Sequence, residues 1–243
     1  MAKMAILGAT SAIACASAIA FGHQGWDLHL AGRNEAALKK IATNIALRTG
    51  RKVSWSYIDM ADISSHQAFW EAVAPEIEGV LCAVGMLGDQ RKAEYDWTLA
   101  QAILQANFTG LVPLLSMAAN TFEDRGKGLL IGISSVAGDR GRATNYFYGS
   151  AKAGFTAFMS GLRNRLSVKG VHVITVKPGF IATPMTEGIS FPKALMATPE
   201  QVAANIVYAV DRKRNTVYTP WFWYWIMWVI RHIPEVIFKK LKL

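Results

Sequence analysis

The chain has 243 residues, 52% of them apolar and 18% charged, and 26 Lys plus Arg against 17 Asp plus Glu give a net charge of +9. That apolar share, with 11% aromatics, can bury a sizeable core and excludes a disordered basic tail. Two cysteines, Cys15 and Cys82, without CxxC or metal-ligand spacing, argue against a disulfide framework or a metal site and fit a reducing cytoplasm.

Residues 1–20 imitate a secretory signal, with a lysine, an apolar stretch and small residues. The apolar run is broken at Gly8, Thr10 and Ser11, with helical spacing at Ile13, Ile19 and Ala20 beyond it, so the segment reads as strand, turn, helix. Strand-length runs recur at 3–8, 27–31, 52–57, 79–84, 128–134, 171–177 and 216–218. Between them, 34–48 opens with a capping Asn34 and lines up Leu38, Ile41 and Ile45 before Gly50. The stretch 64–74 turns Phe69, Trp70 and Val73 inward, and Thr198-Pro199-Glu200-Gln201 is a capping box that starts a helix to about 210. This alternation predicts an α/β fold, a Rossmann-type doubly wound parallel sheet of about seven strands with helices on both faces. The catalytic domain is expected over 1–218 and an apolar helical C-terminal tail over 219–243.

After the first strand, Gly8-Ala9-Thr10-Ser11-Ala12-Ile13-Ala14 opens a helix whose N-terminus can receive a pyrophosphate, although Ala12 and Ala14 stand where a dinucleotide fingerprint prefers glycine. A tight turn without a ligand is the competing reading. The second strand ends at Gly32-Arg33, where an NAD site presents a carboxylate to the ribose; an arginine there suits the 2′-phosphate of NADP(H), unless it is a plain surface residue. Tyr148 and Lys152 stand at i and i+4 on one helix face. Ser135 ends the fifth strand 13 residues earlier, and Asn107 lies within an earlier helix.

These residues resemble the short-chain dehydrogenase/reductase family. The resemblance runs from residue 3 to about 218 through the glycine turn, Asn107, Ile133-Ser134-Ser135-Val136-Ala137-Gly138, Tyr148-Gly149-Ser150-Ala151-Lys152 and Pro178-Gly179-Phe180-Ile181-Ala182-Thr183. It implies NADP(H) as cofactor and Asn107, Ser135, Tyr148 and Lys152 as a catalytic tetrad. Ser135 would hold the carbonyl oxygen and Tyr148 would protonate it. Lys152 would favour the ionised phenol and bind the ribose, and Asn107 would hold a water that returns the proton. Thr183 is similar to the residue that meets the nicotinamide carboxamide, and Asp59 to the adenine-contacting aspartate. A helix cap and a turn are their plain alternatives. The family's Asn-Asn-Ala-Gly after the fourth strand is Cys82-Ala83-Val84-Gly85 here, which removes polar support around the cofactor but keeps the glycine.

Ala83-Val84-Gly85-Met86-Leu87-Gly88-Asp89 and the ending Arg231-His232-Ile233-Pro234 with Ile237-Phe238-Lys239-Lys240-Leu241 resemble the decaprenylphosphoryl-2-keto-ribose reductase subgroup. That implies a keto sugar on a polyprenyl phosphate, made by a flavin oxidase partner and serving the cell envelope. Another lipidic ketone, such as a long-chain keto base or a 3-ketoacyl group, stays open, as does a non-catalytic NADP-sensing scaffold. The family commonly forms homodimers and homotetramers.

Residues 211–243 carry a net +5 of the +9 and four of the eight tryptophans. Residues 221–230 (WFWYWIMWVI) would span only about 15 Å as helix, against the roughly 20 residues a membrane crossing needs, and Pro234 predicts a break after them. Aromatics beside basic residues suit an anionic membrane surface, which would place the protein in the cytoplasm, peripheral on the inner face of the membrane. Cover for a sheet edge or pocket, or a dimer contact, are the alternatives. The bracketing of an apolar segment by basic residues argues against a nucleic-acid partner.

Overall fold

The structure, a computed structural model, describes residues 2–184 and 195–241. In chain order it contains β1 (Lys3–Leu7), α1 (Ala12–His23), β2 (Asp27–Gly32), α2 (Glu35–Thr49), β3 (Val53–Tyr57), α3 (His66–Val73), β4 (Gly79–Cys82), α4 (Gln90–Ala93) and α5 (Trp97–Leu104). A π-helical turn, Gln105–Thr109, leads into α6 (Val112–Arg125), followed by β5 (Gly128–Ile133), α7 (Tyr146–Leu166), β6 (Val171–Pro178) and β7 (Phe180–Ile181). The chain then forms β8 (Met196–Ala197), α8 (Pro199–Asp211), β9 (Thr216–Thr219), α9 (Trp223–His232) and α10 (Glu235–Phe238). Lys242, counted above in the tail's charge, lies outside the described residues.

Seven parallel strands make the main sheet in the order β3-β2-β1-β4-β5-β6-β9, as expected. Alternate residues of β1 divide between its faces. Ala5 and Leu7 join Phe122, Phe155 and Met159 beneath α6 and α7, while Met4 and Ile6 join Phe21, Ile45 and Ile206 beneath α1, α2 and α8. The local signals act as read. Asn34 accepts from the Ala37 amide at 3.0 Å, Gly50 ends α2 in the left-handed conformation, and both halves of the Thr198–Gln201 capping box are formed.

Several strands stop short of their sequence runs because their last residues leave the sheet to line the crevice above it. Thus β4 ends at Cys82, and Ala83 to Gly85 belong to a cavity wall. The 29-residue apolar run Trp97–Arg125 is long enough to cross a membrane, but Leu114, Leu115, Ala118 and Phe122 place it in the core.

Candidate active site

The sheet order reverses between β1 and β4, so the connections that follow them part in opposite directions and open a crevice beyond their carboxyl ends. Two cavities, of about 840 Å3 and 310 Å3, share Thr10, Ser11, Ala83, Val84 and Gly85 and form one trough. The larger is also walled by Gly8, Arg33 and Asp59. The smaller adds Ala12, Ile13, Ser135, Tyr148, Lys152, Pro178, Gly179, Ile181 and Thr183. Every residue expected to hold cofactor or react therefore lines this trough, apart from Asn107, which sits behind Gly85.

The turn after β1 explains its glycine. Gly8 has φ +75°, and a Cβ on it would come within 2.9 Å of the Val84 side chain. Ser11 caps α1 by accepting from the Ala14 amide at 3.2 Å, and the helix N-terminus with its positive dipole end opens on the trough at Ala12 and Ile13. At the far end Arg33 is exposed, with no carboxylate in ion-pair range among the described residues. Asp59 gives one oxygen to the Ala61 amide at 3.0 Å, so the turn role and the wall position coexist. A glycine turn with no room for a side chain, a helix N-terminus beside it and a cation at one end fit a dinucleotide phosphate.

At the other end the reacting groups converge from three elements. Ser135 follows β5 and accepts from the Ala137 amide at 3.1 Å, and it shares the wall of the smaller cavity with Tyr148 from α7. Lys152, 3% exposed, lies one turn on and donates to the Ile133 carbonyl at 3.1 Å. Ser134 is spent on structure, its hydroxyl bridging the Lys152 carbonyl and Thr156. Asn107 is fully buried in the π-helical turn. Its amide donates to the Met86 and Ile103 carbonyls at 2.6 and 2.8 Å and accepts from the Met86 amide at 3.2 Å. Its side chain is thus a brace for the Gly85-Met86 wall. A Cβ on Gly85 would lie 2.9 Å from the Asn107 Oδ1 and 3.2 Å from the Lys152 Nζ, which accounts for the retained glycine.

The electrostatics differ from the expectation that Lys152 eases ionisation of Tyr148. Burial pushes the Tyr148 phenol above its ordinary range, opposed only by the Ser135 hydrogen bond. Burial also pulls Lys152 down to about 8. Its ammonium is turned to a backbone carbonyl and lies 5.8 Å from the Tyr148 ring centroid. Tyr148 is therefore held protonated, the state a proton donor requires.

Four features escaped the sequence reading. Val84, Ile133, Ser134 and Pro184 also line the smaller cavity, and Tyr57, Met60 and Gln105 the larger. Most are neighbours of predicted residues at strand ends, which was the available signal. Asp139 bonds both Lys177 and the Tyr218 hydroxyl, tying the segment after Ser135 to the ends of β6 and β9. Arg140 donates to the Ile230 and Ile233 carbonyls, pairs with Glu235 at 2.9 Å and stacks 3.6 Å from the Phe238 ring centroid. Arg142, in the loop between Ser135 and Tyr148, is half-buried; among the described residues its Nε has no hydrogen-bond partner, and Nη2 reaches the Met227 sulfur at 3.4 Å. All three contact partners more than 35 residues away, and no local pattern announces such contacts.

Sequence comparison decides the family. The short chain dehydrogenase family matches residues 2–193. This chain belongs to it. An uncharacterized oxidoreductase of Streptomyces coelicolor is 36% identical over 245 residues, covering 98% of this chain and 95% of the relative. Another from Mycobacterium tuberculosis is 34% identical over 220 residues, covering 89% and 88%. Among solved structures, a short-chain dehydrogenase from Sphingobium yanoikuyae in complex with NADPH superposes with a TM-score of 0.84 at 22% identity, covering 97% of each chain. The family membership makes this chain an oxidoreductase.

Proposed function

We propose that the protein is an NADPH-dependent carbonyl reductase whose ketone is a sugar carried on a polyprenyl phosphate. The observation that carries the reductase reading is the junction of the two cavities. A dinucleotide laid from Arg33 past Gly8 would bring its far end to Ser135 and Tyr148, which line the smaller cavity together. The NADPH-bound neighbour from Sphingobium yanoikuyae supports the cofactor, and Arg33 supports the phosphorylated form of it.

Bound NADPH supplies the hydride. Ser135 holds the carbonyl oxygen as negative charge grows on it, and Tyr148, protonated in this environment, delivers the proton that makes the alcohol. Lys152, on the cavity wall one helix turn from Tyr148, would bind the ribose and stabilise the phenolate left by proton transfer. Asn107 keeps the Gly85-Met86 wall in place.

Support for the phosphate-bearing sugar comes from the resemblance of residues 83–89 and of the tail to the keto-ribose reductase subgroup, and from Arg142. Arg142 is half-buried and its nearest carboxylate among the described residues, Asp139, is bonded to Lys177 and Tyr218, so the guanidinium would gain from a visiting anion. The ketone itself must come from oxidation of the parent sugar, the step the resemblance gives to a flavin oxidase.

The test is to incubate enzyme and NADPH with an oxidised polyprenyl-phospho-sugar and, separately, with neutral lipid ketones and a 3-ketoacyl thioester, following NADPH absorbance and identifying the product. Turnover of the phospho-sugar is expected, and Arg142→Ala should raise its KM about tenfold or more while leaving neutral ketones unaffected. Turnover confined to the other ketones would overturn the sugar assignment and leave the reductase. NADPH binding without turnover of any ketone would favour the scaffold.

A further inference from the structure

The tail has two faces of different character. Inward, Trp223 and Met227 are buried with Val136, Phe180 and Tyr218. Trp223 meets Phe180 edge-on at 4.9 Å and donates to the Leu195 carbonyl at 3.3 Å. Outward, Trp221, Trp225 and Trp228 are 72%, 57% and 49% exposed, and Tyr224, Val229 and Ile237 are also exposed. So much aromatic surface in one place is not ordinary for a soluble face.

The charges around it have one sign. Glu235 is the single acid in residues 221–241, and Arg140 neutralises it at 2.9 Å. Arg231, Lys239 and Lys240 are exposed at the end of the same segment. We propose that the outward face of α9 and α10 docks on an anionic lipid surface, with the tryptophans at headgroup depth and the lysines over the lipid charges. Ten residues of α9 rise about 15 Å, too short to cross a bilayer and suited to lying along one. A second copy of the chain is the poorer occupant. It would bring Arg231, Lys239 and Lys240 of each copy around a shared patch, whereas lysine is depleted from the centres of protein interfaces and an anionic bilayer supplies the missing charge.

The inward face makes this docking matter to the site. Gly179, which lines the smaller cavity, lies so close to Trp223 that any Cβ on it would overlap the indole. Arg140, five residues after Ser135, holds the carbonyl end of α9. A bilayer that holds α9 therefore holds the wall of the cavity, which suits a substrate with a lipid anchor. Docking needs only α9, α10 and the basic residues beside them, whatever the ketone.

The experiment uses the full chain with vesicles of phosphatidylcholine alone and of phosphatidylcholine with phosphatidylglycerol, read by co-sedimentation and by quenching of tryptophan emission with brominated lipid. Binding to the anionic vesicles is expected, weakened about tenfold or more by high salt or by the triple variant Trp221→Ser, Trp225→Ser, Trp228→Ser. Lys239→Glu with Lys240→Glu should remove the preference for phosphatidylglycerol. Retained reduction of a water-soluble ketone by these variants shows that they fold. No binding by the full chain at low salt, or binding indifferent to both sets of changes, overturns the proposal. So does a full chain that sediments as a dimer and becomes monomeric in the tryptophan variant, which would assign the face to a second copy.

Discussion

In the crevice above β1 and β4, Lys152 and Asn107 are buried and hydrogen-bonded, whereas in the tail large apolar groups are left in solvent. Lys152 is almost wholly enclosed and spends its ammonium on the Ile133 carbonyl, and Asn107 spends both ends of its amide on backbone. The tail instead buries Trp223 and Met227 and exposes Trp221, Trp225 and Trp228. Burying a charge costs stability, and a site tolerates the cost for chemistry. Exposing a row of indoles gains nothing in a free monomer, so the two regions depart from the ordinary in opposite directions, and each departure carries one of the two proposals.

The largest effect should follow from removing the proton donor. Tyr148→Phe is expected to lower kcat about a thousandfold, within the range general acids contribute, and to leave NADPH affinity within about twofold by fluorescence titration. Retained turnover would move the donor elsewhere and dissolve the contrast at its first term. Next comes the inward tryptophan. Trp223→Ala should cost about 3 kcal/mol in denaturant unfolding, because it empties the space against Gly179 and Phe180, while Trp225→Ser stays within about 0.5 kcal/mol. Equal losses at 223 and 225 would mean that α9 does not present two faces.

Lys152 sharpens the comparison from the other side. Its folded pKa of about 8 lies below the ordinary 10.5, so the fold disfavours its charged form. The penalty is complete below pH 8. Stability then rises with pH between about 8 and 10.5, as the folded chain releases a proton that the unfolded chain still holds. Lys152→Met is therefore expected to be inactive yet more stable at pH 7 by up to about 3 kcal/mol, with the advantage vanishing above pH 10.5. A variant less stable than the parent at pH 7 would show that the ammonium is a net structural asset.

Legibility in the sequence followed the same division. Caps, the Gly8 turn and the i, i+4 pair of Tyr148 and Lys152 are local, and local spacing settles them. The alternation of strands and helices implies the parallel doubly wound sheet, while the strand order that brings residues as far apart as Arg33 and Thr183 to one trough rests on pairings between distant segments. What could not be read depends on distant partners. Whether Tyr148 would be shifted up or down turns on how deeply the crevice encloses it. Whether a tryptophan in WFWYWIMWVI points in or out turns on where α9 lands, and Arg140, which fixes that landing, is some ninety residues away from the carbonyls it holds. The break expected near Pro234 is present, Ile233 being extended between α9 and α10.

The smallest expected effect tests the outer end of the trough. Arg33 is exposed, so its pairing with a 2′-phosphate competes with water and salt and is worth less than any buried contact. Arg33→Asp replaces attraction by repulsion and should weaken NADPH binding about ten- to a hundredfold, while NADH, whose ribose hydroxyls can donate to a carboxylate, binds as well as before or better. The difference should shrink as ionic strength rises, since Arg33 lies in solvent, whereas the effect of Tyr148→Phe on kcat should not depend on salt. Equal losses for both cofactors would place the phosphate away from Arg33 and would leave the 840 Å3 cavity without a reason to prefer NADPH.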